Sequence, residues 1–228
     1  MQPRSLALLI IVLPLFTVNA AYLISAFSGK VAWCIPYLSG CTSISQAARL
    51  SDAIFLFRAV MIVYAVLLIF YWRLMQLWLN QLDQHFTLIA LIIFLLGASG
   101  AAFLILYVDY LGTTGVMYRF MRRFGVIFYF SFTPLAHTLM LNHLYKLKKL
   151  NPDFPVSFAV LRYQLSIVSL MIILGLASVI MRHTGTKTFE SESLIEWNYA
   201  LLLTLIFAGS FYMWKDLKLQ LTINNSTK

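Results

Sequence analysis

Four arginines and one glutamate are the residues of this chain best suited to chemistry: Arg58, Arg119, Arg122, Arg123 and Glu196. A guanidinium offers a planar fork of N–H donors that matches phosphate or carboxylate bidentately. Such a set points to capture of an anion, with Glu196 as a partner for the arginines or as a favourable charge at a helix N-terminus. Arg58 follows Asp52 by six residues, ~9 Å of helix rise, which carries a charge into an apolar segment. A charge there is costly and faces a polar cavity or a partner; snorkelling or a structural pair with Glu196 or Asp52 is the plainer reading. Arg119, Arg122 and Arg123 precede the fourth apolar segment and suit either headgroup anchoring or a ring around a phosphorylated lipid headgroup.

A second set lies deeper. Arg122, Tyr129, Thr133 and His137 follow helical spacing and share one face, with His137 ~22 Å below Arg122. An intramembrane histidine relays protons, binds metal or simply packs with a hydrogen bond; with no second histidine four residues away and no acid in the segment, packing is expected. Asn19 and Thr17 in the first apolar segment read as bonds to neighbouring helices. Zinc-protease, nucleophile-elbow and phosphate-loop signatures are all missing from the sequence. Ser39, Ser43 and Ser45 have no histidine nearby to activate them. No catalytic residue, metal or cofactor is therefore assigned.

The long polar excursion Lys30 to Arg58 holds both cysteines, Cys34 and Cys41, around a Pro-Tyr turn. A disulfide is expected if this loop faces an oxidising compartment; two unlinked thiols are the alternative. Specific binding is expected to involve this loop.

The elements that must position these residues are helices in a membrane. Charged residues make up only 11% of the chain and mean hydropathy is +0.83, against about a quarter charged in soluble domains. Apolar runs of about twenty residues recur, each able to cross a ~30 Å hydrocarbon core, and they lack the alternation of barrel strands. The fold class is all-α: a single domain, residues 1–228, forming a six-helix transmembrane bundle. The spans fall at about 5–27, 52–72, 86–108, 122–144, 162–181 and 194–217. The first mimics a secretory signal through Val18-Asn19-Ala20 but runs on to Phe27, and reads as an uncleaved helix. Gly97 to Ala102 is a small-residue packing patch in the third span, and Pro134 kinks the fourth, freeing a carbonyl that needs a partner. Trp197 and Tyr199 read as interfacial aromatics. The tail TINNSTK reads as disordered, and Asn224 and Asn225 match the glycosylation pattern there by chance.

With six spans both termini share one side. The lysines of the connector near Lys146, Lys148 and Lys149, opposite the cysteine pair, make that side cytoplasmic. The net charge of +9 collects beside span ends, which points to anionic lipid rather than nucleic acid. The expected membrane is a plasma or inner membrane, or an endolysosomal or Golgi one in a eukaryote.

Two short patterns carry a family likeness: Pro36-Tyr37-Leu38-Ser39 with Ile54-Phe55, and Glu196-Trp197 followed by a helix ending Phe211-Tyr212-Met213-Trp214-Lys215-Asp216. With six helices, the chain resembles the DRAM-type family of damage-regulated autophagy modulators and relatives in GPI-anchor remodelling and phospholipid organisation. The resemblance implies a small membrane protein that binds, senses or sorts lipids. The expected function is noncatalytic lipid binding or organisation at a noncytoplasmic polar mouth near Arg58, Arg122 and Glu196. The alternatives are a lipid-modifying enzyme built around His137, or a small-solute transporter with a path along Asn19, Thr133 and His137.

Overall fold

The structure, a computed structural model, describes residues 2–84, 87–151, 154–215 and 217. Phe86, at the expected start of the third span, and the tail with Asn224 and Asn225 lie outside the described residues. Six helices are long and apolar enough to cross a membrane: α1 (Pro3–Phe27), α4 (Ala53–Asp83), α5 (Leu88–Asp109), α6 (Val116–Leu150), α7 (Phe158–His183) and α8 (Phe189–Met213). Two short helices, α2 (Pro36–Ser39) and α3 (Ile44–Arg49), fold within the first long loop. The chain is an all-helical, integral multi-pass membrane protein.

Span limits differ from the expectation where caps decide them. Segment six opens at Phe189 rather than Leu194, because Thr188 and Ser191 form a reciprocal capping box with Glu190 and Glu192 in the first turn. Glu196 and Trp197 therefore sit two turns inside the helix, and the dipole reading belongs to the earlier acids. Segment four opens at Val116, after Gly115 with φ 124°, so Arg119, Arg122 and Arg123 ride on the first turns of α6 instead of preceding it. Helix α6 continues to Leu150 over 35 residues, ~52 Å at 1.5 Å per residue. Helix α4 runs on to Asp83, where Arg73 donates to Gln76 at 2.5 Å and covers the Phe94 ring.

Each spanning helix packs on the next in sequence, and α8 closes on α1, so the six form a ring. One end carries the start of α1 and the end of α8 (the terminal end); the other carries α2, α3 and the arginines (the mouth end). Close helix approach comes from glycine. A Cβ on Gly97 would stand 2.1 Å from the Trp72 indole, and one on Gly125 would stand 2.7 Å from the Phe103 carbonyl. The expected small-residue patch thus seats a tryptophan, and α5 and α6 meet almost backbone to backbone.

Large side chains fill the ring toward the terminal end. Tyr71, Trp72, His137, Phe207 and Trp214 are fully buried and meet edge-on, stacked or tilted at centroid distances of 4.8–6.4 Å. Aromatic pairs at such spacing add to simple burial. Tyr71 shares a 2.5 Å hydroxyl contact with Ser210 across the ring. At the same end His143 faces the Asp83 carboxylate at 2.8 Å, a partner that its place at the membrane edge did not announce.

Candidate functional site

The long loop is a lid welded to α1 and α8. Cys34 and Cys41 lie at disulfide distance with Cα atoms 6.6 Å apart, inside the usual span for a bridge. The Tyr22 hydroxyl accepts the Cys34 N–H and donates to the Cys34 carbonyl, both at 2.7 Å. Ser25 donates to the Ala47 carbonyl at 2.6 Å. Gly40 takes φ 61°, and a Cβ there would lie 2.1 Å from the Glu190 carbonyl; only glycine permits both. Trp197, expected at the interface, is fully buried and donates from Nε1 to the Thr42 carbonyl at 2.8 Å. Asn198 donates to the Tyr37 carbonyl at 2.8 Å, and the Tyr37 ring meets Trp197 edge-on at 5.0 Å. The Pro36–Ser39 and Glu196-Trp197 patterns therefore touch one another. The Tyr37 phenol, pushed up by burial and partly relieved by Asn19, receives the Asn19 amide at 3.0 Å.

Beyond this lid the bundle opens. A hollow of about 530 Å³ lies between α6, α7 and α8 at the mouth end. Arg49, Arg119, Arg122, Arg123, Arg182 and Lys187 line it, against two carboxylates, Glu192 and Glu196. Lys187 pairs with Glu192 at 2.6 Å. Arg122 spends one nitrogen on the Thr113 and Tyr110 carbonyls at 2.6 and 3.3 Å, bracing the turn that leads into α6. Arg49, Arg119, Arg123 and Arg182 have no hydrogen-bond or ion-pair partner among the described residues. The Glu196 carboxylate lies beside the Ile44 and Ser45 backbone of α3. Arg49, Arg119 and Arg122 also border an adjoining recess closed by Thr113, Thr114 and Gly115.

Under the arginines the lining turns apolar. A smaller cavity of about 50 Å³ is bounded by Val18, Phe57, Met61, Leu104 and Leu203. It shares Tyr107, Val126, Phe130 and Glu196 with the hollow above. Polar roof and greasy floor are thus contiguous, which is the layout an amphiphile requires.

The expected sites divide. Arg119, Arg122, Arg123 and Glu196 come together at the hollow; Arg58 does not. Its Nη2 donates to the carbonyls of Asp109, at 3.1 Å, and Leu111, the unpaired acceptors at the end of α5. Arg58 is a clasp from α4 onto α5, and its pairing with Glu196 or Asp52 does not occur. Sequence reasoning missed Arg49 and Arg182. Their clue was position: Arg49 in the last turn of a loop helix and Arg182 in the last turn of α7 both fall at the mouth end.

The deep set is interior. Tyr129, Thr133 and His137 are buried. The Tyr64 and Tyr129 hydroxyls stand 3.2 Å apart, and His137 Nδ1 lies 3.0 Å from the Thr133 carbonyl. Tyr71, Trp72 and Phe207 wall in the His137 ring, as expected of a packing histidine. Pro134 cannot donate to the Phe130 carbonyl, and the Tyr199 hydroxyl from α8 does so at 3.0 Å. The residue expected as an interfacial aromatic is the partner that the proline kink demands.

Among the described residues no group of three or more His, Cys, Asp or Glu side chains stands close enough to hold a metal. No protein-family model, no curated protein and no solved structure shows a significant match to this chain.

Proposed function

We propose that the protein binds an anionic phospholipid, without turning it over, by holding its headgroup in the arginine hollow and the upper part of a chain against the apolar floor. One observation carries this reading. Four guanidinium groups with no ion-pair partner among the described residues, in excess over the carboxylates Glu192 and Glu196, converge on a hollow that continues into hydrocarbon-like lining. Like charges gathered in this way repel, and an anion relieves the repulsion while accepting their hydrogen bonds. A free anion has no use for the apolar floor; a lipid does.

In this reading the terminal end faces the cytoplasm, by the lysines of the α6–α7 connector, and the hollow opens to the opposite leaflet. A plasma or inner membrane suits that orientation, as does an endolysosomal or Golgi membrane. Kinship with DRAM-type proteins belongs to the same proposal, and the contact between its two short patterns supports it. The enzymatic alternative needs water against His137, whose ring is enclosed. The transporter alternative needs a path along Asn19, Thr133 and His137, yet Asn19 is committed to Tyr37.

The test is native mass spectrometry of the protein extracted in mild detergent. The wild type should retain an anionic phospholipid, and the Arg119→Gln, Arg123→Gln double variant should lose it. Arg58→Gln serves as the control, because that side chain lies outside the hollow, and should keep the lipid. A lipid profile unaffected by the double variant would overturn the reading.

A further inference from the structure

The seam between α6 and α7 has a second opening. At the terminal end a groove of about 630 Å³ lies between these helices, bordered by Thr138, Asn142, Tyr145, Leu161, Arg162 and Leu165. The arginine hollow lies on the same seam at the mouth end, bordered there by Ser131 of α6 and by Gly175 and Ser178 of α7. Open space stands beside Gly175, where an added Cβ would meet no atom within 4 Å. The two openings thus share both walls.

A polar lane joins them along α6. Arg123, Ser131, Thr138 and Asn142 fall at intervals of eight, seven and four residues, on one helical face, and all four are exposed. Ser131 and Thr138 are ~10 Å apart along the axis. Neither the Ser131 hydroxyl nor the Asn142 amide has a hydrogen-bond partner among the described residues, and Thr138 bonds only back to the Pro134 carbonyl at 2.8 Å. Between the openings the seam is flanked by exposed Leu135 and Ile172, so it faces lipid rather than another helix of the ring. Exposed, unpaired polar side chains in hydrocarbon are costly. Something polar must visit them. Basic residues mark both ends of the lane, Arg123 and Arg182 at one and Arg162 at the other, so the visitor carries negative charge.

We propose that the α6–α7 seam is a passage for phospholipid headgroups between the two leaflets, and that the protein scrambles lipids passively. The headgroup leaves the arginine hollow, passes Ser131 and Thr138 in turn, and reaches Arg162, while its chains stay in the bilayer outside the groove. The lane replaces a crossing of the full ~30 Å core with a dehydrated step of ~10 Å between two hydroxyls. This proposal rests on the lipid reading of the hollow, and its test separates the two.

The full-length protein is reconstituted into phosphatidylcholine–phosphatidylglycerol vesicles carrying a trace of nitrobenzoxadiazole-labelled phospholipid, and dithionite is added outside. Protein-free vesicles lose only the outer-leaflet signal; wild-type vesicles should lose the inner-leaflet signal as well. Ser131→Leu with Thr138→Leu should slow that second phase about tenfold, the factor given by ~1.4 kcal/mol of added barrier. The milder Ser131→Ala, Thr138→Val pair should slow it in the same direction, which guards against a folding defect. Thr138→Val alone, outside the hollow, should slow the phase in the same direction and keep the lipid seen by native mass spectrometry. Wild-type vesicles that retain the inner signal while the protein retains its lipid would overturn the passage and leave the binding site standing. Loss of lipid from the wild type as well would remove both. A Thr138→Cys variant that cross-links to a second copy in the vesicle would make the seam an oligomer contact and overturn the passage.

Discussion

The two ends of this bundle are built on opposite terms. Toward the terminal end the ring is plugged: Tyr71, Trp72, His137, Phe207 and Trp214 interlock with none of their surface exposed. Toward the mouth end α6, α7 and α8 part, and arginines from α3, α6 and α7 converge in excess over the two carboxylates, Glu192 and Glu196. A plug of rings is stabilised by contacts the protein makes with itself. A cluster of cations in excess over its carboxylates gains from an anion that comes from outside. If the hollow binds lipid as proposed, stability and binding are separated along the membrane normal, and a single substitution should disturb one and spare the other.

The largest effect tests the plug. Trp72→Ala should cost about 3–5 kcal/mol, the usual penalty for emptying a buried aromatic site, seen as a fall in midpoint for unfolding in mixed micelles. Lipid retention scored on the fraction still folded should be unchanged. If the variant instead lost its lipid at full stability, the division between the ends would fail.

Arg58 comes next, because it is an expected site arginine that serves the scaffold outside the hollow. Arg58→Gln should destabilise by roughly 2 kcal/mol, the range for hydrogen bonds to a charged donor, and amide exchange should rise at the last turn of α5. A variant of normal stability and no lipid would return Arg58 to the binding set.

The proline kink gives a smaller and sharper readout. Tyr199→Phe should cost about 1 kcal/mol, the scale of an interhelical hydrogen bond in a membrane. In a Pro134→Ala background the Phe130 carbonyl regains an N–H partner, so the same change should cost less. Equal costs in both backgrounds would mean that the Tyr199 hydroxyl does not serve that carbonyl.

The smallest expected stability change belongs to the arginines of the hollow. Arg123→Gln should shift stability by less than ~0.5 kcal/mol, as for most surface substitutions, or raise it slightly by easing repulsion with its neighbours. Lipid occupancy should fall. A large loss of stability would place Arg123 in the scaffold beside Arg58.

Particular residues show how far the chain could be read before folding. Six apolar runs and a cysteine pair seven positions apart announced the spans and the bridged loop. Pro134 announced an unpaired carbonyl but could not name its partner, since Tyr199 lies 65 residues away in sequence. Arg58 looked like its fellow arginines because chain position gives depth and not direction. Trp197 looked interfacial because the loop that buries it folds back from another part of the chain.

Hydropathy and helical period are local properties: they depend on neighbours within a turn or two, and so the amino-acid order alone settled the number of spans, their approximate limits and which residues share a face. Which guanidinium finds a carbonyl and which is left facing an open hollow depends on how six helices close into a ring. That choice is made by long-range packing, through the approach of glycine to tryptophan and of loop to helix, and only the assembled bundle contains it.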